Sequence, residues 1–460
     1  MFDSLTRTDE NSRVQPDLAE RWEETVDGLS YLFHLRTGVT FHNGKPLTAE
    51  DVKFTYESIL EPQNQSPRRS ELRFIKAVDA IGPYSIRFRL AVPYAPFLVT
   101  SSSLGIVPTA SPALKGRQGN GLVGTGPFYL EEFSPGERAV LKANPSYWQG
   151  PPAISGLIIK IIPDAIVRAL EFKKGTIDFL QNDIEPDMLP WLKHNTDASI
   201  ITRQGTIFQY IGMNLDHPIL RHKEVRQAIA YAIDRELIIG HLLKGLAASA
   251  TGLLSPLHWA FDPSVPQWTY NPEEAKRLLD KAGFRDPDGD GPLPRFKLSY
   301  KTTTLDLRMR IAEAFKEQLA RIGIELEVRT YEWGTFYEDI QKGNFQLYSL
   351  AWVGVTDPDI YFNLFHSSSI PPHGNNRGRY HNPEVDRLLE EGRKSVSLQE
   401  RKRIYDRVQQ ILAVELPYIP LWWTKNVVVM NRAIQGFVPY PAGDLIPLKN
   451  VSLLSRQPAS

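Results

Sequence analysis

The sequence contains no cysteine. This excludes disulfides, thiolate metal sites, cysteine nucleophiles and a lipid-anchored cysteine within these residues. No apolar run approaches the roughly 18 residues of a membrane span, and the opening residues show no signal-peptide pattern. Neither charge sign is in excess, because Lys plus Arg and Asp plus Glu both number 53. Neither a nucleic acid nor an anionic membrane surface is therefore an expected partner.

The usual signatures of enzymes are also missing. The sequence has no G-x-S-x-G, H-E-x-x-H or G-x-x-x-x-G-K-[ST] segment, so it does not indicate an esterase, a zinc protease or an ATPase. Asp357 and Asp359 could be a paired acid and base, but Pro358 between them favours a turn. We therefore expect no catalysis, no cofactor and no metal, and keep a hydrolase that uses the two aspartates as the alternative.

Two loops match known binding motifs only in part. Gly119 to Gly124 satisfies G-x-G-x-x-G, but no apolar strand precedes it and no helix pattern follows, which predicts a turn and not a dinucleotide site. The segment from Asp286 onward begins like a calcium loop, yet its twelfth position is Lys297 where a glutamate is needed. An ordinary turn is expected there, and a cation held by residues 286–290 stays open.

The length of 460 residues predicts two or three domains, since single cores stop growing beyond about 250–300 residues. The first third shows alternating strand patterns, such as residues 31–35 and 85–90, and a helix that begins at a Thr48–Asp51 capping box. A Pro and Gly cluster at residues 150–152 marks a boundary. Helices and strands alternate beyond it, which is typical of an α/β domain.

The α/β part contains two further apolar patterns. Residues 157–162 form an almost continuous apolar run, which predicts a buried strand. The second pattern repeats every four residues and predicts one continuous helix face, formed by Val225, Ile229, Ile233 and Leu237.

A third run, residues 345–354, predicts a central strand that ends with Trp352 and Gly354 and continues directly into the loop before Asp357. Ligands of α/β domains gather where the carboxyl ends of strands meet loops. The Trp and Gly at this strand end therefore predict a cleft wall. The alternative is a tryptophan that is simply buried in the core.

Several motifs along nearly the whole chain resemble those of the family 5 extracellular solute-binding proteins, the dipeptide- and oligopeptide-binding group of ABC importers. The motifs are Pro16-Asp17-Leu18-Ala19-Glu20-Arg21-Trp22, Phe41-His42-Asn43-Gly44, Leu47-Thr48-Ala49-Glu50-Asp51-Val52, Asn144-Pro145-Ser146-Tyr147-Trp148 and Tyr380-His381-Asn382-Pro383-Glu384-Val385-Asp386.

The resemblance implies an α/β fold: a two-lobed periplasmic-binding-protein fold of type II, of the large peptide-binding subgroup, with an extra inserted α+β domain. Residues 1–17, 152–222 and 426–460 would form lobe I, residues 18–151 the inserted domain and residues 223–425 lobe II. The implied function is the capture of a peptide-like solute between the lobes of a periplasmic or extracytoplasmic monomer. The implied partners are the membrane permease and its ATPases. A ligand sensor or chaperone on the same scaffold is a further alternative.

The resemblance also implies where the ligand binds. The residues expected to line the cleft are Tyr210, Trp352, Val353, Gly354, Val355, Thr356 and Asp357. The family normally carries a signal peptide, an opening strand and a loop before the point that matches Phe2. We therefore expect that part of lobe I precedes this sequence.

Two charged groups of the family's peptide binders have no counterpart here. An aspartate just past the Trp strand holds the peptide amine in such proteins, and the aligned residue is Val355. No arginine for the peptide carboxylate is evident where the chain reads Lys301-Thr302-Thr303-Thr304-Leu305. Either Asp357 takes the amine through a different loop path, or the solute has no free amino terminus. A solute of that second kind is a blocked or cyclic peptide, an opine-like compound, a sugar or a metal chelate.

Overall fold

The computed structural model of the chain describes residues 1–9, 13–66, 68–109, 111, 122–289 and 291–454. The strands in these residues form a four-stranded, a three-stranded and a seven-stranded sheet, and two separate pairs. None of the described helices combines the length and apolar character that a membrane crossing requires.

The N-terminal region contains a four-stranded antiparallel sheet, the long helix α1, a shorter helix α2 and a separate strand pair, β1 with β2. Its elements are β1 (Thr6–Thr8), β2 (Val14–Pro16), β3 (Ala19–Glu24), β4 (Ser30–Leu35), α1 (Ala49–Leu60), β5 (Ile75–Gly82), β6 (Ser85–Leu90) and α2 (Phe97–Ser101). The sheet order is β3-β4-β6-β5. Alternate residues of β4, including Phe33, are buried against Phe88 and Phe97, as the strand period predicts. The predicted capping box of Thr48 and Asp51 is present at the start of α1.

The middle of the chain carries a smaller sheet and a helical segment. Its elements are β7 (Phe128–Ser134), β8 (Arg138–Ala143), β9 (Gly156–Lys160), α3 (Ala165–Lys174), β10 (Phe179–Gln181), α4 (Met188–Asn195) and β11 (Ala198–Met213). The strand predicted at residues 157–162 is confirmed as β9, but its predicted burial is wrong, since Ile158 is 63% exposed. β9 is an outer strand that pairs only with β8.

The remainder alternates helices and strands, as the sequence predicts. Its elements are α5 (Lys223–Ala232), α6 (Arg235–His241), β12 (Ala247–Ser249), α7 (Pro272–Lys281), β13 (Phe296–Thr303), α8 (Asp306–Ala320), β14 (Ile324–Tyr331), α9 (Trp333–Lys342), β15 (Leu347–Trp352), α10 (Ile360–Phe365), α11 (Pro383–Lys394), α12 (Leu398–Glu415), β16 (Tyr418–Asn431), β17 (Ile434–Gln435) and β18 (Ser452–Leu453).

The helix predicted to run through Ile233 to Leu237 is in fact two helices. The Asp234 side chain accepts a hydrogen bond from the Leu237 backbone N–H and begins α6 as its N-cap. Leu237 is consequently 45% exposed, whereas Val225 and Ile229 are fully buried. The single-face prediction fails at this point because a capping aspartate outweighs the apolar repeat.

The large sheet has the order β10-β16-β11-β15-β13-β14, with β12 added on β16. One apolar cluster includes Ile211 and Phe315, and a second, richer in aromatic rings, includes Tyr210, Tyr348 and Tyr405. The predicted central strand is β15, which lies between β11 and β13. Its carboxyl end therefore opens a loop beside the aromatic cluster.

The two longest strands of the sheet, β11 and β16, pair antiparallel along almost their full length. Their pairing is interrupted between Gln204 and Ile207, where Gly205 and Thr206 bulge out of register. A side chain at Gly205 would have its Cβ only 2.5 Å from the carbonyl oxygen of Thr424. On one side of this irregularity β16 pairs with β10, and on the other side β11 pairs with β15. The bulge thus separates the part of the sheet that contains β10 from the part that contains β15.

Candidate functional site

A large cleft among the described residues has a volume of about 1470 Å³. One wall comes from Thr8 and from residues within segments 71–74 and 92–103 of the N-terminal region. The opposite wall comes from residues within segments 341–343, 354–363, 369–379 and 390–394. A cleft of this size between two parts of a chain is the usual setting of a small-molecule site.

The loop after β15 forms part of the second wall. Gly354 adopts a positive φ of 68°, which lets the chain turn sharply at the strand end. Four of the residues predicted from the sequence line the cleft, namely Gly354, Val355, Thr356 and Asp357. Val355 is nonetheless 3% exposed, because its side chain packs into the aromatic cluster. The binding role of these four residues stays a prediction.

The other three predicted residues do not line this cleft. Tyr210 is fully buried and stacks between Tyr418, at 4.1 Å, and Trp352, at 6.3 Å between ring centroids. It lies behind the wall because β11 is an inner strand of the sheet. Trp352 is half-buried, and Val353 points outward with 62% exposure. The sequence identified this strand end but not which of its side chains face the cleft.

Both aspartates of the Asp-Pro-Asp turn are held by arginines. Arg401 donates from Nη2 and Nη1 to the two oxygens of Asp357, at 2.7 and 3.1 Å. Arg393 donates from Nε and Nη2 to the two oxygens of Asp359, at 2.6 and 2.9 Å. Such bidentate pairs satisfy the charge and most of the hydrogen-bonding capacity of a carboxylate. Asp357 therefore already has a cationic partner within the protein.

The second of these pairs reaches across the cleft. Tyr94, from the opposite wall, donates its hydroxyl to Asp359 at 3.0 Å, and the backbone N–H of Ala95 donates to the Arg393 carbonyl at 2.8 Å. Burial raises the pKa of the Tyr94 hydroxyl well above its usual value, and nearby Asp359 raises it further, so this group remains a donor. The ring of Tyr94 stacks on Phe74 at 3.8 Å. These contacts connect the N-terminal region to the second wall.

A third arginine of the same wall has different surroundings. Arg377 is 5% exposed and lies over the rings of Trp352 and Tyr337, at 5.2 and 5.4 Å. Its Nη2 donates to the Tyr337 hydroxyl at 3.2 Å and to Asn375 Oδ1 at 2.9 Å. Its Nε is buried without a hydrogen-bond partner among the described residues.

Sequence reasoning missed Arg377. It lies in the irregular stretch between α10 and α11, where neither apolar periodicity nor a known motif singles out one side chain. Lys301, by contrast, is at the position where the carboxylate-binding arginine was sought. Its ammonium group forms a 2.5 Å ion pair with Asp339 and does not line the cleft.

Residues 13–371 match the bacterial extracellular solute-binding proteins, family 5 Middle. The chain belongs to the family 5 solute-binding proteins. It is 33% identical to the oligopeptide-binding protein AppA of Bacillus subtilis, over 97% of this chain and 84% of that protein. It is 30% identical to heme-binding protein A of Haemophilus influenzae, over 94% of this chain and 82% of that protein.

Solved structures of the family share the fold. The AppA structure in complex with a nonapeptide matches with a TM-score of 0.86 at 30% identity, covering 99% of this chain and 93% of AppA. The structure of NikZ from Campylobacter jejuni in complex with Ni(L-His) matches with a TM-score of 0.86 at 30% identity, covering 98% and 93%. The predicted two-lobed α/β fold of type II is therefore confirmed, and so is the predicted family. Family members of this fold bind solutes.

The two loops with partial motifs show no ligand geometry in the described residues. Asp286 Oδ1 accepts from the backbone N–H groups of Asp288 and Gly289, at 3.2 and 2.9 Å. No group of three metal-binding side chains occurs in the part of the chain that the structure describes. Asp290 and residues 119–121 of the Gly119–Gly124 segment lie outside the described residues, so the cation prediction stays open.

Proposed function

We propose that this chain is the solute-binding subunit of an ABC importer, which captures a peptide-like solute between its lobes and delivers it to the membrane permease. The observation that carries the proposal is the 1470 Å³ cleft between two walls of a family 5 fold. The bound nonapeptide of AppA supports a peptide-like solute. The Ni(L-His) complex of NikZ supports a compact chelate as the second candidate.

The proposed mechanism is a hinged closure that excludes water from the solute. We place the lobes at the predicted boundaries, with residues 1–17, 152–222 and 426–460 in lobe I, 18–151 in the inserted domain and 223–425 in lobe II. The bulge at Gly205 and Thr206, where β11 and β16 pass from one half of the sheet to the other, supports a hinge there. The proposed working state is a monomer on the outer side of the cytoplasmic membrane.

The proposed subunit catalyses no reaction. A hydrolase that used Asp357 and Asp359 would need carboxyl groups that are free to exchange protons or attack a substrate. Both are instead held in bidentate pairs with Arg401 and Arg393. No observation specifically favours a chaperone or a sensor on the same scaffold.

Native mass spectrometry of freshly purified protein tests the proposal by identifying a co-purified solute. Addition of that solute is expected to compact the protein in small-angle X-ray scattering and to raise its melting temperature. A ligand at about a hundred times its dissociation constant adds roughly 2.7 kcal/mol of stability. Turnover of peptides or glycosides by the pure protein would reject the binding-only proposal, and so would the absence of compaction with every stabilising solute.

A further inference from the structure

The cleft has an uneven distribution of charge. Its lining carries six basic side chains, Arg73, Lys342, Arg377, Arg379, Arg393 and Lys394, and four acidic ones, Glu71, Asp357, Asp359 and Glu390. Both buried acids, Asp357 and Asp359, are held by arginines. Glu71 and Glu390 are about half exposed, at 50% and 53% of their side chains. Among the described lining residues, neither buried carboxylate is therefore left without a cationic partner.

Arg377 is the opposite case within the same wall. Three other arginines of the lining or its support, Arg379, Arg393 and Arg401, form ion pairs with aspartates. Arg377 forms none with any described residue, and its neighbours are aromatic rings, phenol hydroxyls and one amide oxygen, all of them neutral groups. A buried cation without a counter-charge is strongly unfavourable unless another group compensates it.

A second donor beside Arg377 also lacks an acceptor. The indole N–H of Trp352 is buried with no hydrogen-bond partner among the described residues, as is Nε of Arg377. The two side chains are in contact, with the guanidinium carbon 5.2 Å from the Trp352 ring centroid. Native structures rarely leave buried donors unsatisfied, and two such donors side by side at a cleft wall favour an acceptor that a ligand supplies.

We propose that Arg377 is the receptor for an anionic group of the solute, a carboxylate that approaches from the cleft. The inference rests on the proposed function and deepens it, because it assigns a chemical class to the ligand. A guanidinium presents its N–H groups in a planar fork that matches the two oxygens of a carboxylate. The rings of Trp352 and Tyr337 hold this fork in position, and Asn375 fixes one of its nitrogens.

The same arrangement disfavours a solute that depends on its ammonium group. The side chain of Val355, on the same wall, offers no acceptor, and Asp357 is already paired with Arg401. Burying an ammonium group there without a partner is unfavourable. The solute class is thus an anion that carries at least one carboxylate and whose amine, where it has one, is blocked or chelated.

The test uses a pool of short peptides in four chemical forms: unmodified, acetylated at the amine, amidated at the carboxyl, and modified at both ends. Thermal-shift titration is carried out with each pool on the wild type, Arg377→Gln and the control Arg387→Gln. Arg387 lies in the same lobe, is 59% exposed and pairs with Glu391, so its substitution removes the same charge outside the cleft. Citrate and the nickel(II)–histidine chelate form a parallel panel of non-peptide carboxylates.

The wild type and Arg387→Gln are expected to bind the acetylated pool with a free carboxyl group best, and to prefer each free-carboxyl pool to its amidated counterpart. Arg377→Gln is expected to bind the free-carboxyl pools about 10- to 100-fold more weakly, the effect of losing a charge-assisted hydrogen bond, and to show no preference. Equal binding of amidated and free-carboxyl pools by the wild type overturns the inference but leaves the proposed function standing. A preference that survives in Arg377→Gln does the same.

The remaining outcomes separate the two proposals. If no peptide pool binds but the carboxylate panel stabilises the wild type and not Arg377→Gln, the peptide-like solute is rejected and the role of Arg377 stands. If neither panel binds the wild type, both proposals are rejected. If Arg377→Gln does not fold, Arg377→Lys replaces it. It keeps a charge without the fork and is expected to weaken binding of the free-carboxyl pools alone, so wild-type affinity would overturn the inference.

Discussion

Two arginines of the chain, Arg401 and Arg377, are equally buried and have opposite surroundings. Arg401 and Arg377 are each 5% exposed. Arg401 holds both oxygens of Asp357 and donates from Nε to the Gly392 carbonyl. Arg377 contacts aromatic rings and neutral oxygens and meets no carboxylate among the described residues.

The difference separates a structural charge from a functional one. A guanidinium that is compensated within the fold stabilises a turn and has no capacity left for a ligand. A guanidinium that is left uncompensated beside a cleft reduces the stability of the empty protein and gains a partner only when a ligand arrives. Substitutions that break each kind of charge test this contrast.

The largest effect is expected when the compensated pair is broken. Arg401→Met leaves the Asp357 carboxylate, whose side chain is 9% exposed, without a counter-charge. Removing one partner of a buried pair destabilises a protein by about 3–5 kcal/mol. Chemical denaturation measures this loss. The control is Arg407→Met, on the same helix, whose ion pair with Glu384 is half exposed and should contribute at most about 1 kcal/mol. Equal losses in the two variants would contradict the assignment of Arg401.

The next effect concerns pH, through a histidine beside the same aspartate. Burial lowers the pKa of His258 to about 4, and the nearby Asp357 only partly offsets this. Because the unfolded histidine titrates near 6.5, the unfolded state binds a proton first as the pH falls. Stability is thus complete above about pH 6.5 and falls by about 3 kcal/mol towards pH 4.

Unfolding of the wild type and of His258→Asn between pH 7 and pH 4 measures that contribution. The variant should lose much less stability over this range. The control His381→Asn removes a histidine whose side chain is 69% exposed and should leave the pH profile of the wild type unchanged. Parallel profiles for His258→Asn and the wild type would show that His258 is not held neutral.

A smaller effect tests whether Asp359, already paired with Arg393, is also stabilised by a hydrogen bond from the opposite wall of the cleft. Tyr94→Phe keeps the ring stack on Phe74 but removes the hydrogen bond to Asp359. A hydrogen bond to a charged group contributes about 1.5–3 kcal/mol. We expect a loss of this size in denaturation, with a more open cleft in small-angle scattering. Tyr84→Phe, at an exposed tyrosine, is the control and should be neutral. No change in either measurement for Tyr94→Phe would mean that the two walls are not joined through Asp359.

The sequence predicted the elements of the fold better than the details of the site. Local patterns were sufficient for β4, for the capping box of Thr48 and for the strand that ends at Trp352, because each depends on neighbouring residues. They failed at Asp234, where a single cap divides a helix, and at Ile158, whose exposure depends on strand order.

The site was only partly predictable for a related reason. The loop from Gly354 to Asp357 was found, because it follows a recognisable strand. The ion pairs of Asp357 and Asp359 were not predicted, because their partners Arg401 and Arg393 lie on helices that come later in the chain. Arg377 gave no signal at all, since an unpaired charge can be recognised only when every neighbour in space is known.

The smallest change in stability is expected at Arg377, and it decides the comparison. Arg377→Met removes cation–π contacts worth about 0.5–1 kcal/mol each, and it also removes the penalty of an uncompensated buried charge. These effects oppose each other, so the empty variant should unfold within about 1 kcal/mol of the wild type. The same substitution at Arg401, an equally buried residue, is the matched reference.

The wild type and Arg377→Met should differ clearly in stability only when the anionic solute is present. At a concentration that adds about 2.7 kcal/mol to the wild type, a variant that binds at least tenfold more weakly gains about 1.4 kcal/mol or less. A loss of about 3 kcal/mol or more in the empty Arg377→Met protein would show that Arg377 is compensated within the fold, as Arg401 is, and would remove the physical reason for assigning it to the solute.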